Sequence, residues 1–158
     1  GEDQVQHIEF TRMIGEKFNN RFGETFKLPK ELLNNNTSRI MGLDDATKKM
    51  SKSASSKNNY IALLDSADEI RRKIKIAVTD SGSEVRALHD KPAISNLIAI
   101  YSGYLGKTTS DIEKMYLGKG YGDFKKDLAD VVVEGLKPLQ EKFRILEKLS
   151  GDFFVSEK

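Results

Sequence analysis

KKMSKSASSK, residues 48–57, sets Lys49 and Lys52 three positions apart within a run of small polar residues. Serines offer the backbone local hydrogen bonds that compete with helix, and they pack poorly on a pleated sheet. The stretch therefore reads as a loop, and that reading divides the chain into an upstream and a downstream part. Hydroxyls, free N–H groups and two ammonium groups let such a loop fold over a polyphosphate and follow charge as it moves. At an effective dielectric near 20, one lysine ~4 Å from an anionic oxygen is worth about 4 kcal/mol. A solvated, charged linker has the same composition. The residues alone leave both readings open.

Just upstream, RIMGLDD (39–45) is a short apolar run bounded by turn residues and reads as a strand. Just downstream, YIALLDS (60–66) reads as a second strand or an extended piece. Two short strands do not make a sheet by themselves, so they would need partners outside this chain. Elsewhere the pattern is helical. Phe10, Ile14, Phe18 and Phe22 recur every four residues, predicting a helix over 2–22 with one buried stripe, Glu2 and Asp3 in its first turn and Gly23 as its stop. GETFKLPKELLNNNTS comes next as a connector, and its NNT and NTS triplets read as turn residues rather than glycosylation acceptors.

Ser66 and Glu69 fit a capping box opening a helix through EIRRKIKIAV. TDSGSEVRALHD reads as loop, Pro92 suits the first turn of AISNLIAIYSGYL, and Thr109 or Ser110 can cap DIEKMYL. A long helix is expected from about Tyr121 to Leu149, its apolar positions spaced by three and four from Phe124 through Val131, Val132, Leu139 and Phe143. Pro138 should kink or divide it. The fold class expected is mainly α, with one or two short strands near the lysine loop.

The chain has 158 residues, 38% apolar and 32% charged, with formal net charge +2. That balance describes a well-solvated globular surface and does not mark a nucleic-acid binder as a whole. With no cysteine, disulfide scaffolds, thiolate metal sites and cysteine nucleophiles are all excluded. No apolar run reaches membrane-spanning length and no signal peptide opens the chain, so a cytoplasmic protein without a membrane partner is expected. Gly1 leads at once into EDQ and an amphipathic pattern, and GDFFVSEK ends the chain just after a helix pattern. Both ends read as cut, and a fragment is expected.

Other candidate sites are weak. SGYLGKTT (102–109) ends in Gly-Lys-Thr, but a phosphate loop would need glycine at position 101, which is Tyr. It reads instead as a helix C-terminus with Gly106 as terminator. GKGYG (118–122) reads as a tight connection between helices. His7 and His89 have no ligand-type neighbours in sequence, and no metal site is expected. Arg71, Arg72, Lys73 and Lys75 read as a solvated helix face, with an RNA-facing surface as the alternative.

Taken together, GEDQ (1–4), RIMGL (39–43), KMSKS (49–53), LLDS, KIKIAVTDS, KPAISNLIAIYS and GKGYGDFK resemble the bacterial-type tryptophanyl-tRNA synthetases, a class I aminoacyl-tRNA synthetase family, across nearly the whole chain. KMSKS is similar to the second signature of class I; the first, a HIGH-type motif, and the tryptophan pocket would precede Gly1.

The resemblance implies the tail of a Rossmann-type catalytic domain over residues 1–65, followed by an α-helical anticodon-binding domain over 66–158 whose last helices would come after Lys158. It implies ligation of tryptophan to tRNA(Trp) through an adenylate made from ATP, with Mg2+ bound alongside the ATP, and a homodimeric parent enzyme. Carried over by position, Gly1, Asp3 and Gln4 match the motif at a helix start that contacts the ATP ribose, with the backbone of Glu2 sharing that site. Ile40 would end the strand whose main chain abuts adenine. Lys49 and Lys52 would be the catalytic lysines on the ATP phosphates, with Met50, Ser51 and Ser53 seating the loop. Ala54 stands where the family often has an acidic residue that could tether the loop. Alone, the fragment is expected to be inactive. The alternatives are a non-catalytic helical RNA-binding module, whose lysine loop merely touches phosphate backbone, and a purely structural helical domain.

Overall fold

Helices dominate because the apolar spacing of three and four is sustained only where the backbone is helical. In the computed structural model, which describes residues 4–32 and 39–155 (side chains through residue 149), they are α1 (Val5–Phe22), α2 (Ala67–Ile76), α3 (Pro92–Leu105), α4 (Thr109–Met115) and α5 (Tyr121–Val155). Gly1, Glu2 and Asp3 lie outside the described residues, as do residues 33–38 of the asparagine-rich connector. The chain falls into two compact units, Gly1–Arg39 and Ile40–Lys158.

In the first unit, α1 stops at Gly23, whose φ of 88° is open to glycine, and its N–H closes on the Asn19 carbonyl at 2.8 Å. The Asn19 side chain then folds the chain back. Its Oδ1 accepts the N–H groups of Thr25 and Phe26 at 3.0 and 2.9 Å, and its Nδ2 donates to the Phe26 carbonyl at 2.8 Å. The Phe18 ring meets Phe22 at a tilt and Phe26 edge-on, with centroids 4.7 and 4.8 Å apart. The stripe expected to be buried is not: α1 has no buried residue, and Phe10, Ile14, Phe18 and Phe22 all remain exposed. A unit of this size has too little chain to cover a helix face with a core of its own.

The second unit has a true core. Ile70 and Ile74 of α2, Ile94, Leu97, Ile98 and Tyr101 of α3, Ile112 of α4, and Phe124, Leu128, Val132 and Leu136 of α5 share it with Leu43. α5 packs on α2 and on α3, and α3 packs on α4. At the α3–α5 contact, a methyl group on Gly135 would overlap the ring of Tyr104.

Several local expectations hold. Ser66 caps α2 by accepting the Glu69 N–H at 3.2 Å, Pro92 opens α3, and Gly106 ends it in the left-handed conformation at φ 64°. Others change. Glu69 does not complete a capping box; its carboxylate grips Arg72 at 2.7 and 2.9 Å. The reciprocal box belongs to Thr108 and Asp111, so Thr109 and Ser110 lie inside α4. α5 runs through Pro138 without being divided there, and Pro138 and Glu134 are both exposed. The second half of its apolar spacing, Leu139 to Leu149, stays exposed.

The expected strand at 39–45 shrinks to one antiparallel bridge between Met41 and Lys49, and YIALLDS makes a turn closed by Asp65 on Ala62. The apolar signal was real, since Leu43 is 1% exposed. The segment's hydrogen-bond partners are the Asn96 side chain, at Met41, and loop main chain, at Leu43, rather than strands. The Leu43 N–H donates to the Asn59 carbonyl at 2.9 Å, and its carbonyl accepts the Val78 N–H at 2.8 Å.

Nor is the basic run on α2 simply a solvated face. Lys73 is buried and pairs with Asp65 at 2.7 Å while donating to the Tyr60 carbonyl at 3.0 Å. Arg72 also donates to the Asn58 side chain at 2.7 Å, and Arg71 pairs with Asp130 at 3.1 Å. Distant segments meet at Asp80, which accepts the Tyr121 hydroxyl at 2.8 and 2.9 Å and the Gly82 N–H at 2.7 Å. Burial and this carboxylate together push the Tyr121 hydroxyl's pKa well above its usual value.

Candidate functional site: the lysine turn

The segment around KMSKS is folded back on itself. The Gly42 N–H donates to the Lys48 carbonyl at 2.8 Å and the Met50 N–H to the Ile40 carbonyl at 3.0 Å, flanking the Met41–Lys49 bridge. Beyond the bridge, the Ala54 N–H reaches the Ser51 carbonyl at 3.1 Å. The Ser53 N–H reaches Ser51 Oγ at 3.2 Å, and the two serine hydroxyls lie 2.9 Å apart. Lys52 therefore occupies a tight turn, exposed, and Lys49 is exposed at its foot. Met50 packs against the hydrophobic core.

Two carboxylates lie under the turn. Asp45 accepts the hydroxyl and N–H of Thr47 and pairs with Lys48 at 3.0 Å. Thr47 and Lys48 together hold its pKa down at about 2. Asp44 Oδ1 accepts the Asn59 amide at 2.6 Å. Lys48 is thus the partner of Asp45.

Of the residues singled out by resemblance, Ile40, Lys49, Met50, Ser51, Lys52 and Ser53 come together here. Gln4 is the residue ahead of α1 in the first unit, and its side chain makes no capping bond. Ala54 is half-buried, and the turn it closes is tethered by Ser51 and Asn59. Three residues that shape the site had no role in the sequence reading. Asn59 and Asn96 are buried amides that bond to the main chain of the segment, and Gly42 leaves room for the first of them. Two neighbouring asparagines just past a lysine loop were the available signal for Asn59. Asn96 lay in plain view within KPAISNL.

A second basic feature is a groove of about 510 Å³ between α2 and α5, lined by Arg71, Lys75, Tyr121, Lys125, Lys126 and Asp130. Part of its charge is spent on the fold. Arg71 is paired with Asp130, and Lys125, whose pKa burial lowers, donates to the Ala77 carbonyl at the end of α2 at 2.7 Å. His7 and His89 are exposed, and among the described residues no group of three His, Asp or Glu side chains could hold a metal ion.

Residues 1–137 match the family model for class I tRNA synthetases (W and Y). The chain belongs to this family. It is similar to the tryptophan–tRNA ligase of Wolinella succinogenes, at 50% identity over 151 residues, and to that of Bacillus anthracis, at 50% over 147. These alignments cover 96% and 92% of this chain but 46% and 45% of the relatives, so the chain spans about half their length. The fold is similar to crystal structures of the tryptophanyl-tRNA synthetase of Mycoplasma pneumoniae (TM-score 0.71, 34% identity, 90% of this chain and 46% of that one). It is also similar to the Campylobacter jejuni enzyme complexed with ADP and tryptophan (TM-score 0.57, 34% identity, 96% and 46%). As in the sequence reading, the chain is mainly α. No helix among the described residues is long and apolar enough to cross a membrane.

Proposed function

We propose that the chain is part of a tryptophan–tRNA ligase, with Lys49 and Lys52 acting on the phosphates of ATP. The observation that carries this reading is the anchored turn itself. Two exposed lysines flank Ser51, whose main chain is held from below, in a family whose C. jejuni member was crystallised with ADP and tryptophan. In the reaction, a tryptophan carboxylate oxygen bonds to the α-phosphorus of ATP and the bond from that phosphorus to the bridging oxygen of pyrophosphate breaks. Negative charge grows on the leaving group. Ammonium groups that meet it more closely in the transition state than in bound ATP accelerate the step.

Met50, Ser51 and Ser53 seat the turn, Ile40 borders the adenine, and Gly1, Glu2, Asp3 and Gln4 contribute to the ribose site. Magnesium arrives on the nucleotide as part of the substrate. Residues 1–65 belong to the catalytic part and 66–158 to the part that reads tRNA(Trp). The full-length enzyme is a cytoplasmic homodimer, and this chain by itself does not activate tryptophan.

Tryptophan-dependent exchange of pyrophosphate into ATP tests both halves of the proposal. The full-length protein should show it and the 158-residue chain should not. RNA binding by the full-length protein without any exchange would instead mark a non-catalytic module.

A further inference from the structure

We propose that Asn59 and Asn96 are a pair of positioning residues, one for each lysine of the turn: Asn96 sets Lys49 through Met41, and Asn59 sets Lys52 through Ser51. This rests on the reading of the turn as the ATP-phosphate site.

The two amides come from different places, Asn96 from α3 and Asn59 from the loop ahead of α2. They are 6% and 5% exposed. Leaving a buried amide without partners is costly, so each is fixed by what it holds. Asn96 grips a single residue at two points. Its Oδ1 accepts the Met41 N–H at 2.8 Å and its Nδ2 donates to the Met41 carbonyl at 2.9 Å. An antiparallel neighbour strand would give Met41 the same pair of bonds on that side. On its other side Met41 is bridged to Lys49. The helix α3 thereby fixes the main chain of Lys49 through one intervening residue.

Asn59 grips both sides of the segment. Its Oδ1 accepts the Ser51 N–H at 2.9 Å, its Nδ2 donates to Asp44 at 2.6 Å, and its carbonyl accepts the Leu43 N–H at 2.9 Å. Ser51 in turn anchors the turn that carries Lys52. Gly42 is needed for this arrangement, because a methyl group there would overlap the Asn59 amide. The chain neighbours of Asn59 are pinned too, Asn58 by Arg72 and Tyr60 by Lys73. An uncharged amide can set a lysine's position without competing for the phosphate. Displacement of a charge donor by about 1 Å can cost on the order of 10²-fold in rate.

The test is a set of double-mutant cycles in the full-length protein, read by tryptophan-dependent pyrophosphate exchange. Asn59→Ala is expected to lower kcat about 10-fold or more and raise the KM for ATP, with the KM for tryptophan within two-fold of wild type. In a Lys52→Ala background the same substitution should change kcat less than two-fold. Asn96→Ala should behave likewise against Lys49→Ala. Thermal melting accompanies each variant. Where an alanine variant melts below the assay temperature, Asp44→Ala (freeing the Asn59 donor) or Asn96→Gln (spoiling the two-point grip) takes its place with the same expected pattern. An active wild type in which each asparagine substitution costs the same factor with or without its lysine would overturn the positioning role. A wild type with no exchange at all would overturn the proposed function, and the positioning role with it.

Discussion

The side-chain oxygen of Asn59 accepts the main-chain N–H of Ser51 at 2.9 Å, joining the middle of KMSKS to a buried residue eight positions later. A solvated linker of the same composition has no reason to spend a buried amide in this way. The bond makes a closed loop of residues 51–59 and places Lys52 beside its fixed end rather than on a free span. An ammonium group held near its working position loses less conformational entropy when it meets a phosphate.

Gly42→Ala should disturb this anchor directly. The new methyl overlaps the Asn59 amide, and overpacking of this kind costs about 1–3 kcal/mol. For a chain of this size that corresponds to a fall in Tm of roughly 2–12 °C. Differential scanning calorimetry checks it; an unchanged Tm would mean that the amide yields freely.

Lys73→Ala should be among the most damaging substitutions on α2. Lys73 is 3% exposed, and its loss strands the Asp65 carboxylate and the Tyr60 carbonyl that it satisfies. Removing one partner of a buried pair costs about 3–5 kcal/mol. Urea denaturation should show that loss, and adding Asp65→Ala should recover part of it. Equal and additive losses would contradict the pairing.

Asp45 gives the turn a pH dependence. Its folded pKa of about 2 lies below the ordinary value of 3.8, so the folded state holds the carboxylate more tightly than the unfolded chain does. The contribution to stability is therefore complete above about pH 4. It is lost as pH falls toward 2. Carboxyl chemical shifts followed by NMR should titrate with a midpoint near 2, and Asp45→Asn should remove this limb of the acid denaturation curve. A midpoint near 3.8 would mean that Thr47 and Lys48 do not engage the carboxylate.

Much of the second unit could be read from its sequence because local rules and tertiary packing agree there. Pro92, Gly106 and the spacing from Phe124 to Leu136 each predict the element in which they are found. The errors occur where a long-range partner decided the outcome. Met41 and Leu43 carry a strand-like pattern, yet their backbone bonds go to Asn96, Asn59 and Val78, which no local window contains. Lys73 lies in a basic run that resembles a surface, and only Asp65 and Tyr60 make its burial tolerable. Phe10 and Phe18 are spaced for a core that the first unit is too small to supply. At the candidate site, the two lysines stand out in the sequence by their charge alone. The amides that bond to Met41 and Ser51 do not, because those contacts depend on where the chain returns.

The single-turnover rate of tryptophanyl-adenylate formation, measured in the full-length protein at saturating ATP, tests the role of the lysines most directly. Lys49→Ala and Lys52→Ala should each slow that step by roughly 10²–10³ while tryptophan affinity stays near wild type, the scale of losing one preorganised charge donor. Rates within a few-fold of wild type in both variants would contradict the assignment of the turn to the ATP phosphates.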